Sequence, residues 1–235
     1  MVINEPMDAF VEGQMYIHQL FAEWGIPMKY TMYYEECNTV TTEKYESMKQ
    51  NIQRVKNKNN FENYTLRKLQ FTGLSSQGVQ PNYFLCIKNS DDTKIYLEKK
   101  YMQDGIYYKK CTALSKEECE KILKGDIQWL KNHKKELLAD FYRHATLNYL
   151  RPGHLTDYNR ETINCKKEGY ITFCKKINRA VGTGKGLFDK PDMTISCLGD
   201  HEVLVTCKKI ITLPVMISNM LQNQEEQTED LAFVL

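Results

Sequence analysis

The chain has 235 residues, 42% of them hydrophobic, enough for one sizeable core, and no Pro/Gly/Ser-rich linker divides it. A formal net charge of +2 excludes a global attraction for polyanions, so any such attraction must come from local arrangement. No stretch approaches the roughly 18 consecutive apolar residues of a membrane span, no basic-then-apolar leader opens the chain, and the 8 cysteines include no CxxC pair, so reduced thiols, a cytoplasmic location and no zinc site are expected. One domain over residues 1–235 is expected, its core at about 26–222 and a flexible tail at 223–235.

In chain order, Thr41 or Thr42 is expected to begin a helix reaching about Lys56, followed by a polar turn to Asn60. Thr65, Arg67, Leu69 and Phe71 share one face of the next strand, and Asn82, Phe84, Cys86 and Lys88 one face of another. In the segment from Lys94 to Lys100, Ile95 and Leu97 oppose Lys94, Tyr96, Glu98 and Lys100; Gly105 then turns the chain into Tyr107-Tyr108-Lys109-Lys110. Ser115 with Glu118 forms a capping box for a helix that stops at Gly125. Asp126 is expected to cap a further helix with the apolar stripe Ile127, Leu130, Leu137, Leu138, Phe141 and Ala145, ended by Arg151-Pro152-Gly153.

Tyr158 and Arg160 share a strand face, Ile171 and Phe173 alternate with Tyr170, Thr172 and Cys174, and Val203, Val205 and Cys207 alternate with Glu202, Leu204, Thr206 and Lys208. Leu213-Pro214 opens an apolar helical run to Leu221. The repeated polar or cationic face is the informative signal. A sheet rolled into a barrel gathers such faces into one lumen and leaves the apolar faces for helices to cover, an α+β antiparallel β-barrel with helices outside. Gly182-Thr183-Gly184-Lys185-Gly186 lacks the phosphate-loop framework and reads as a hairpin. The lysines of 131–135 and 166–167 lack aromatic interleaving, so they read as solvated faces and no nucleic-acid partner is expected.

The order Lys29-Tyr30, Tyr64-Thr65-Leu66-Arg67, Leu97-Glu98-Lys99-Lys100, Tyr108-Lys109-Lys110, Leu114-Ser115-Lys116-Glu117-Glu118, Leu150-Arg151-Pro152, Tyr158-Asn159-Arg160, Ile171-Thr172-Phe173, Lys208 and Leu213-Pro214 resembles the polyphosphate polymerase domain of the vacuolar transporter chaperone (VTC) family, especially its stand-alone bacterial versions. The resemblance runs from about Lys29 to about Leu221 and is most specific from Lys94 to Leu130. It implies a triphosphate-tunnel barrel whose lumen binds ATP, triphosphate or polyphosphate, with Mg or Mn assisting phosphoryl transfer where the protein is active.

Carried over residue by residue, the resemblance implies phosphate-binding roles for Lys29, Arg67, Lys88, Lys100, Lys109 or Lys110, Arg160 and Lys208. A single lysine on a strand face is ordinary; their joint recurrence is the argument. Glu98 stands where it could bind metal or pair with neighbouring lysines, and the second role is favoured among so many cations. The chain also departs from the family. Thr206 stands where the family has its metal-binding Glu, Tyr170 and Cys174 replace a cation and an acid, Asn82, Phe84 and Cys86 replace cations, and Ile26-Pro27-Met28-Lys29 lacks another acid. Glu202, two pleats from Thr206, is the remaining candidate for a substitute ligand.

Three readings stay open at this point. The chain is a divergent ATP-dependent polyphosphate polymerase with altered metal ligands, or a pseudoenzyme of the same fold that binds an anion or partners an active homologue, or an interaction scaffold without ligand chemistry. The lost acids and cations favour an inactive protein.

Overall fold

The computed structural model describes residues 31–55, 61–74, 81–165, 169–182 and 186–211. Lys29, the Leu213-Pro214 run, the turn at 56–60, the tip of the 182–186 hairpin and the acidic tail lie outside the described residues. The elements are β1 (Thr31–Thr41), α1 (Thr42–Val55), β2 (Phe61–Thr72), β3 (Asn82–Lys88), β4 (Ile95–Gln103), β5 (Ile106–Leu114), α2 (Lys116–Leu123), a 3-10 turn (Gln128–Leu130), α3 (Glu136–Leu147), β6 (Arg151–Asn164), β7 (Gly169–Ala180), β8 (Thr194–Ser196) and β9 (Glu202–Ile210).

All pairings are antiparallel, in the order β6-β2-β3-β4-β5-β1-β9-β7, and a further β6–β7 ladder closes the circle. The result is an eight-stranded barrel with β8 attached to β7 as a ninth strand. Closure removes the open edges that a flat sheet would leave along these strands. The Asp104-Gly105 turn joining β4 to β5 has φ of 50° and 73°, the doubly positive geometry of a two-residue hairpin, and so fixes the register that sets Lys100 opposite Lys109.

Two apolar clusters lie on the barrel's outside. Leu69, Phe71, Tyr83, Leu85, Ile95, Leu97 and Leu155 pack against Cys119 and Ile122 of α2 and Leu137, Leu138, Phe141 and Ala145 of α3. The Phe141 ring sits edge-on to Phe71 and Tyr83 at 4.9 and 5.3 Å. On the other side, Ile163, Phe173, Val203 and Val205 pack under Tyr45 of α1. Full burial of each such side chain contributes about 1.5–3 kcal/mol, so these clusters supply the driving force that the polar interior cannot. Alternation then sends every intervening residue into the lumen.

The helices follow their local signals with one exception. Thr41 Oγ1 accepts the Lys44 N–H at 3.3 Å and starts α1. The Ser115/Glu118 capping box is complete, with both reciprocal bonds made, and α2 ends before Gly125. Asp126, however, does not cap a long helix. The chain makes a 3-10 turn at Gln128–Leu130, the Lys135 N–H donates to His133 Nδ1 at 3.0 Å, and α3 begins only at Glu136. A side chain that captures a backbone N–H competes with the helix, which is why the stripe splits in two. α3 ends at Leu147, ahead of Arg151-Pro152-Gly153, which opens β6 with Pro152 opposite Phe71 at an irregularity in the ladder.

Candidate functional site: the barrel lumen

The faces opposite the apolar clusters converge on one interior. β4 supplies Glu98 and Lys100, β5 supplies Lys109, β2 supplies Glu62 and Lys68, and β3 supplies Lys88, Cys86 and Phe84. The other arc carries Arg160 from β6, Tyr170, Thr172 and Cys174 from β7, Thr206 and Lys208 from β9, and Tyr33, Glu35 and Cys37 from β1. Among the described residues this gives six cations, Lys68, Lys88, Lys100, Lys109, Arg160 and Lys208, against the carboxylates Glu35, Glu62 and Glu98.

Glu98 is the hub of one arc. Its Oε1 accepts from Lys68 Nζ and its Oε2 from Lys109 Nζ, both at 2.6 Å, and its side chain is 6% exposed. Burial alone would raise the Glu98 carboxyl, but Lys109 and then Lys68 outweigh it and hold it well below the ordinary carboxylate range. Lys88 pairs with Glu62 and lies over the Tyr64 ring at 4.2 Å. Glu35 accepts from Lys100 at 2.9 Å and is also 3.4 Å from Lys208. Against the cost of burial, Lys208 and Lys100 hold its carboxyl down at about 2.

The opposite arc is built differently. Register places Thr162, Thr172, Thr206 and Cys37 side by side on four successive strands, a band of hydroxyl and thiol groups. Tyr64 Oη lies 3.3 Å from Thr162 Oγ1, and Cys37 Sγ lies 3.5 Å from Thr206 Oγ1. Arg160 donates from Nη2 to Tyr158 Oη at 3.2 Å, while its buried Nε has no hydrogen-bond partner among the described residues. Tyr33 Oη and Thr172 Oγ1 are likewise buried without a partner among the described residues. Buried orphan polar groups are uncommon, and three on one wall of a cavity mark a place where a polar ligand would complete the bonding.

The sequence-predicted residues separate cleanly. Lys88, Glu98, Lys100, Lys109, Arg160 and Lys208 come together in the lumen. Arg67 does not. It shares its face with Leu69 and Phe71 of the outer core, and its guanidinium grips Asp157 at 2.7 and 2.9 Å together with the carbonyls of Leu187 and Asp189. Lys110 also points outward, pairing with Glu136 of α3 at 2.9 Å. Glu202 sits at the exposed start of β9, where its Oε2 accepts the Gly199 N–H at 2.8 Å. Lys94 belongs to the turn before β4, paired with Asp91.

Sequence reasoning missed Lys68, Glu35, Glu62, Tyr33 and the strand β1 that carries two of them. The signal for Lys68 was present, since Leu69 and Phe71 are as apolar as Ile95 and Leu97, and apolar faces point out in this barrel. Gly169, at φ 130°, starts β7 so close to β9 that a Cβ there would stand 1.9 Å from the Lys208 carbonyl oxygen. That close approach holds Lys208 against Tyr170 in register.

Among the described residues, the donors of the lumen do not suit a divalent cation. Each lumen carboxylate is already engaged by one or two lysines, and the described residues contain no group of three or more His, Cys, Asp or Glu able to hold a metal ion. Thr206 offers a neutral hydroxyl in a band of neutral groups. No helix among the described residues is long and apolar enough to cross a membrane. All eight cysteines are free thiols.

The described residues form a closed antiparallel barrel with helices outside and a lumen rich in basic side chains. Residues 84–177, from β3 into β7, match the family model of the VTC domain, and the resemblance seen in the sequence is shown over that stretch. None of the curated proteins matches the chain. Among solved structures, a chain of the Schizosaccharomyces pombe Mediator head module is similar at TM-score 0.49 and 6% identity, covering 86% of this chain and 96% of that one. A putative adenylate cyclase from Bacillus halodurans is similar at TM-score 0.47 and 11% identity, covering 83% and 91%. The putative adenylyl cyclase HpAC1 from Hippeastrum, described as having a dominant triphosphatase activity, is similar at TM-score 0.44 and 9% identity, covering 84% and 87%. The barrel assignment rests on the strand pairing and not on these likenesses.

Proposed function

We propose that this chain is a VTC-like tunnel domain that binds a phosphate polyanion, ATP, triphosphate or short polyphosphate, in the lumen without the family's metal-dependent polymer synthesis. The observation that carries the reading is the imbalance of the lumen: six basic side chains face three carboxylates, and the one with no carboxylate partner among the described residues, Arg160, has a buried Nε with no hydrogen-bond partner among them. A polyanion would supply the missing countercharge through charge-assisted hydrogen bonds.

Phosphoryl transfer needs positioned charge neutralisation on both the leaving and the transferring groups. Here Glu98 is spent on Lys68 and Lys109, Thr206 brings no charge, and Tyr170, Phe84 and Cys86 line the wall in place of cations. Losing one preorganised electrostatic group costs about 100- to 1000-fold in rate, and several are missing together.

Triphosphate is expected to raise the melting temperature at low salt, equally with EDTA and with magnesium, and polymer formation from ATP is expected to be absent on stained gels. Arg160→Met removes most of the rise. A flat melting curve at millimolar triphosphate favours the scaffold reading and a protein partner, whereas metal-dependent polymer synthesis by the unmodified chain overturns the non-catalytic one.

A further inference from the structure

Lys208 is the unusual cation of the lumen. Its side chain is 8% exposed, yet the carboxylate nearest to it, Glu35 at 3.4 Å, is held more closely by Lys100 at 2.9 Å. The groups facing it are Tyr33 and Glu35 from β1, Lys100 from β4, Lys109 from β5, Arg160 from β6 and Tyr170 from β7. Three of these are cations and one is a shared anion, so the ammonium form is opposed by its surroundings. Tyr33, whose ring centroid is 4.9 Å from Lys208 Nζ, and Thr172, opposite Thr206 in the β7–β9 ladder two residues from Lys208, each carry a buried hydroxyl with no partner among the described residues.

Resting on the anion-binding reading above, we propose that Lys208 is the proton-accepting residue of this site: a metal-free phosphoryl group docks against it and the Tyr33 and Thr172 hydroxyls, and docking is accompanied by uptake of one proton. In the free lumen the Lys208 amine is about half neutral at neutrality and largely neutral above it. The arriving phosphoryl oxygens bring the negative charge that Glu35 only half supplies, and the amine nitrogen takes a proton from solvent to become the ammonium donor. No bond to phosphorus forms or breaks. Burial, then Lys109, set against Glu35 and reinforced by Arg160 and Lys100, lower the Lys208 amine to about 7, in keeping with this geometry.

The coupling has a sign that an ordinary phosphate-binding lysine would not show. A lysine already charged takes up nothing when it binds, whereas here affinity falls by up to about tenfold per pH unit above neutrality, because each unit lowers the charged fraction by that factor. Calorimetric titration of the whole protein with triphosphate, repeated in buffers of different ionisation enthalpy, reads the uptake directly once the ligand's own protonation, measured alone, is subtracted. About 0.9 proton per site is expected at about pH 8 and less than about 0.2 at about pH 6, the neutral fractions of a group titrating near 7. In Lys208→Arg the heat of binding no longer depends on the buffer at either pH, while Arg67→Gln on the outer face leaves the uptake as it was.

A second measurement needs no ligand. The free protein, labelled at the lysine side-chain carbon next to Nζ and assigned by comparison with Lys208→Arg, should show one lysine resonance titrating near neutrality. Binding at about pH 8 without proton uptake, or a Lys208 resonance that titrates only above about pH 9, overturns the coupling and leaves anion binding standing. Absence of binding heat at both pH values overturns the anion-binding reading and the coupling with it.

Discussion

The two arcs of the lumen solve the same electrostatic problem in opposite ways. On the β2–β5 arc, Lys68 and Lys109 share Glu98 at 2.6 Å each and Lys88 has Glu62, so buried charge is compensated within the protein. On the arc formed by β6, β7 and β9, with β1 beside it, Arg160 and Lys208 stand among hydroxyls, and three buried polar atoms there have no partner among the described residues. Compensated charge holds a fold in place, whereas uncompensated charge holds a vacancy for a ligand. The same residue type therefore has different work on the two arcs, and substitution should separate stability from binding along that line.

The largest effect is expected at the compensated hub. Glu98→Gln leaves Lys68 and Lys109 buried without their anion, which costs about 3–5 kcal/mol. For a domain of this size that is a fall of about 10 °C in melting temperature, readable by calorimetry. Replacing all three together by Leu at 98 and Met at 68 and 109 should recover most of the loss, since well-packed apolar groups replace a buried ion cluster at little cost. A Glu98→Gln protein as stable as the unmodified one breaks the comparison at its stronger end.

On the uncompensated arc the expected sign reverses. Arg160→Met removes a cation for which no carboxylate stands by among the described residues, so the unliganded protein should keep its stability to within about 1 kcal/mol or gain. Most of the rise with triphosphate should be lost, out of a total of about 2.7 kcal/mol at a hundredfold excess over Kd. A large destabilisation without ligand would place Arg160 with the structural charges.

Much of this division was legible in the sequence, and the parts that were not have definite physical reasons. Period-two alternation gave the lumen positions of Glu98, Lys100 and Lys208, because the alternate residues Ile95, Leu97, Val203 and Val205 sit in the outer clusters, while Lys88 and Arg160 followed from the faces they share with Phe84, Cys86 and Tyr158. Arg67 misled because its charge suggested the lumen while its face-mates Leu69 and Phe71 belong to the outer core. Lys109 and Lys110 could not be separated by adjacency alone; Lys110 needed Glu136, 26 residues on, to show which side it faced. The pairing of Glu35 with Lys100 crosses 65 residues of sequence, a relation that barrel closure creates and no local pattern carries.

The pH dependence tests the arcs at intermediate cost. Glu35 and Glu98 have lowered pKa values in the fold, so their stabilisation is present above the unfolded value near 4.5 and is lost as pH falls, for Glu35 through about 2. Lys208 runs the other way. Lowered from 10.5 to about 7, it binds fewer protons folded than unfolded across that window, so its contribution to stability grows as pH rises from about 7 towards 10.5 and its cost is full below about 7. The stability difference between Lys208→Met and the unmodified chain, followed by urea titration, should therefore favour the variant most at low pH and shrink as pH rises through that window. A difference that is constant with pH contradicts the arrangement around Lys208.

The smallest effect comes from the residue next in sequence to the hub's own lysine. Arg67 lies on the outside with its side chain 24% exposed, held to Asp157, which is 35% exposed. Water screens a pair of that kind, and even with two parallel hydrogen bonds its loss costs about 1 kcal/mol. Arg67→Gln should accordingly lower the melting temperature by about 2–4 °C and leave the triphosphate response unchanged. Lys68→Gln, one residue further and one face inward, strips Glu98 of one of its two partners and should cost about 3 kcal/mol or more. The pair isolates the effect of facing from the effect of charge, because sequence distance is one residue and the charge removed is the same. If Arg67→Gln abolished the triphosphate response while Lys68→Gln were silent, the inward and outward faces of β2 would be exchanged, and with them the register of every ladder that β2 shares with β3 and β6.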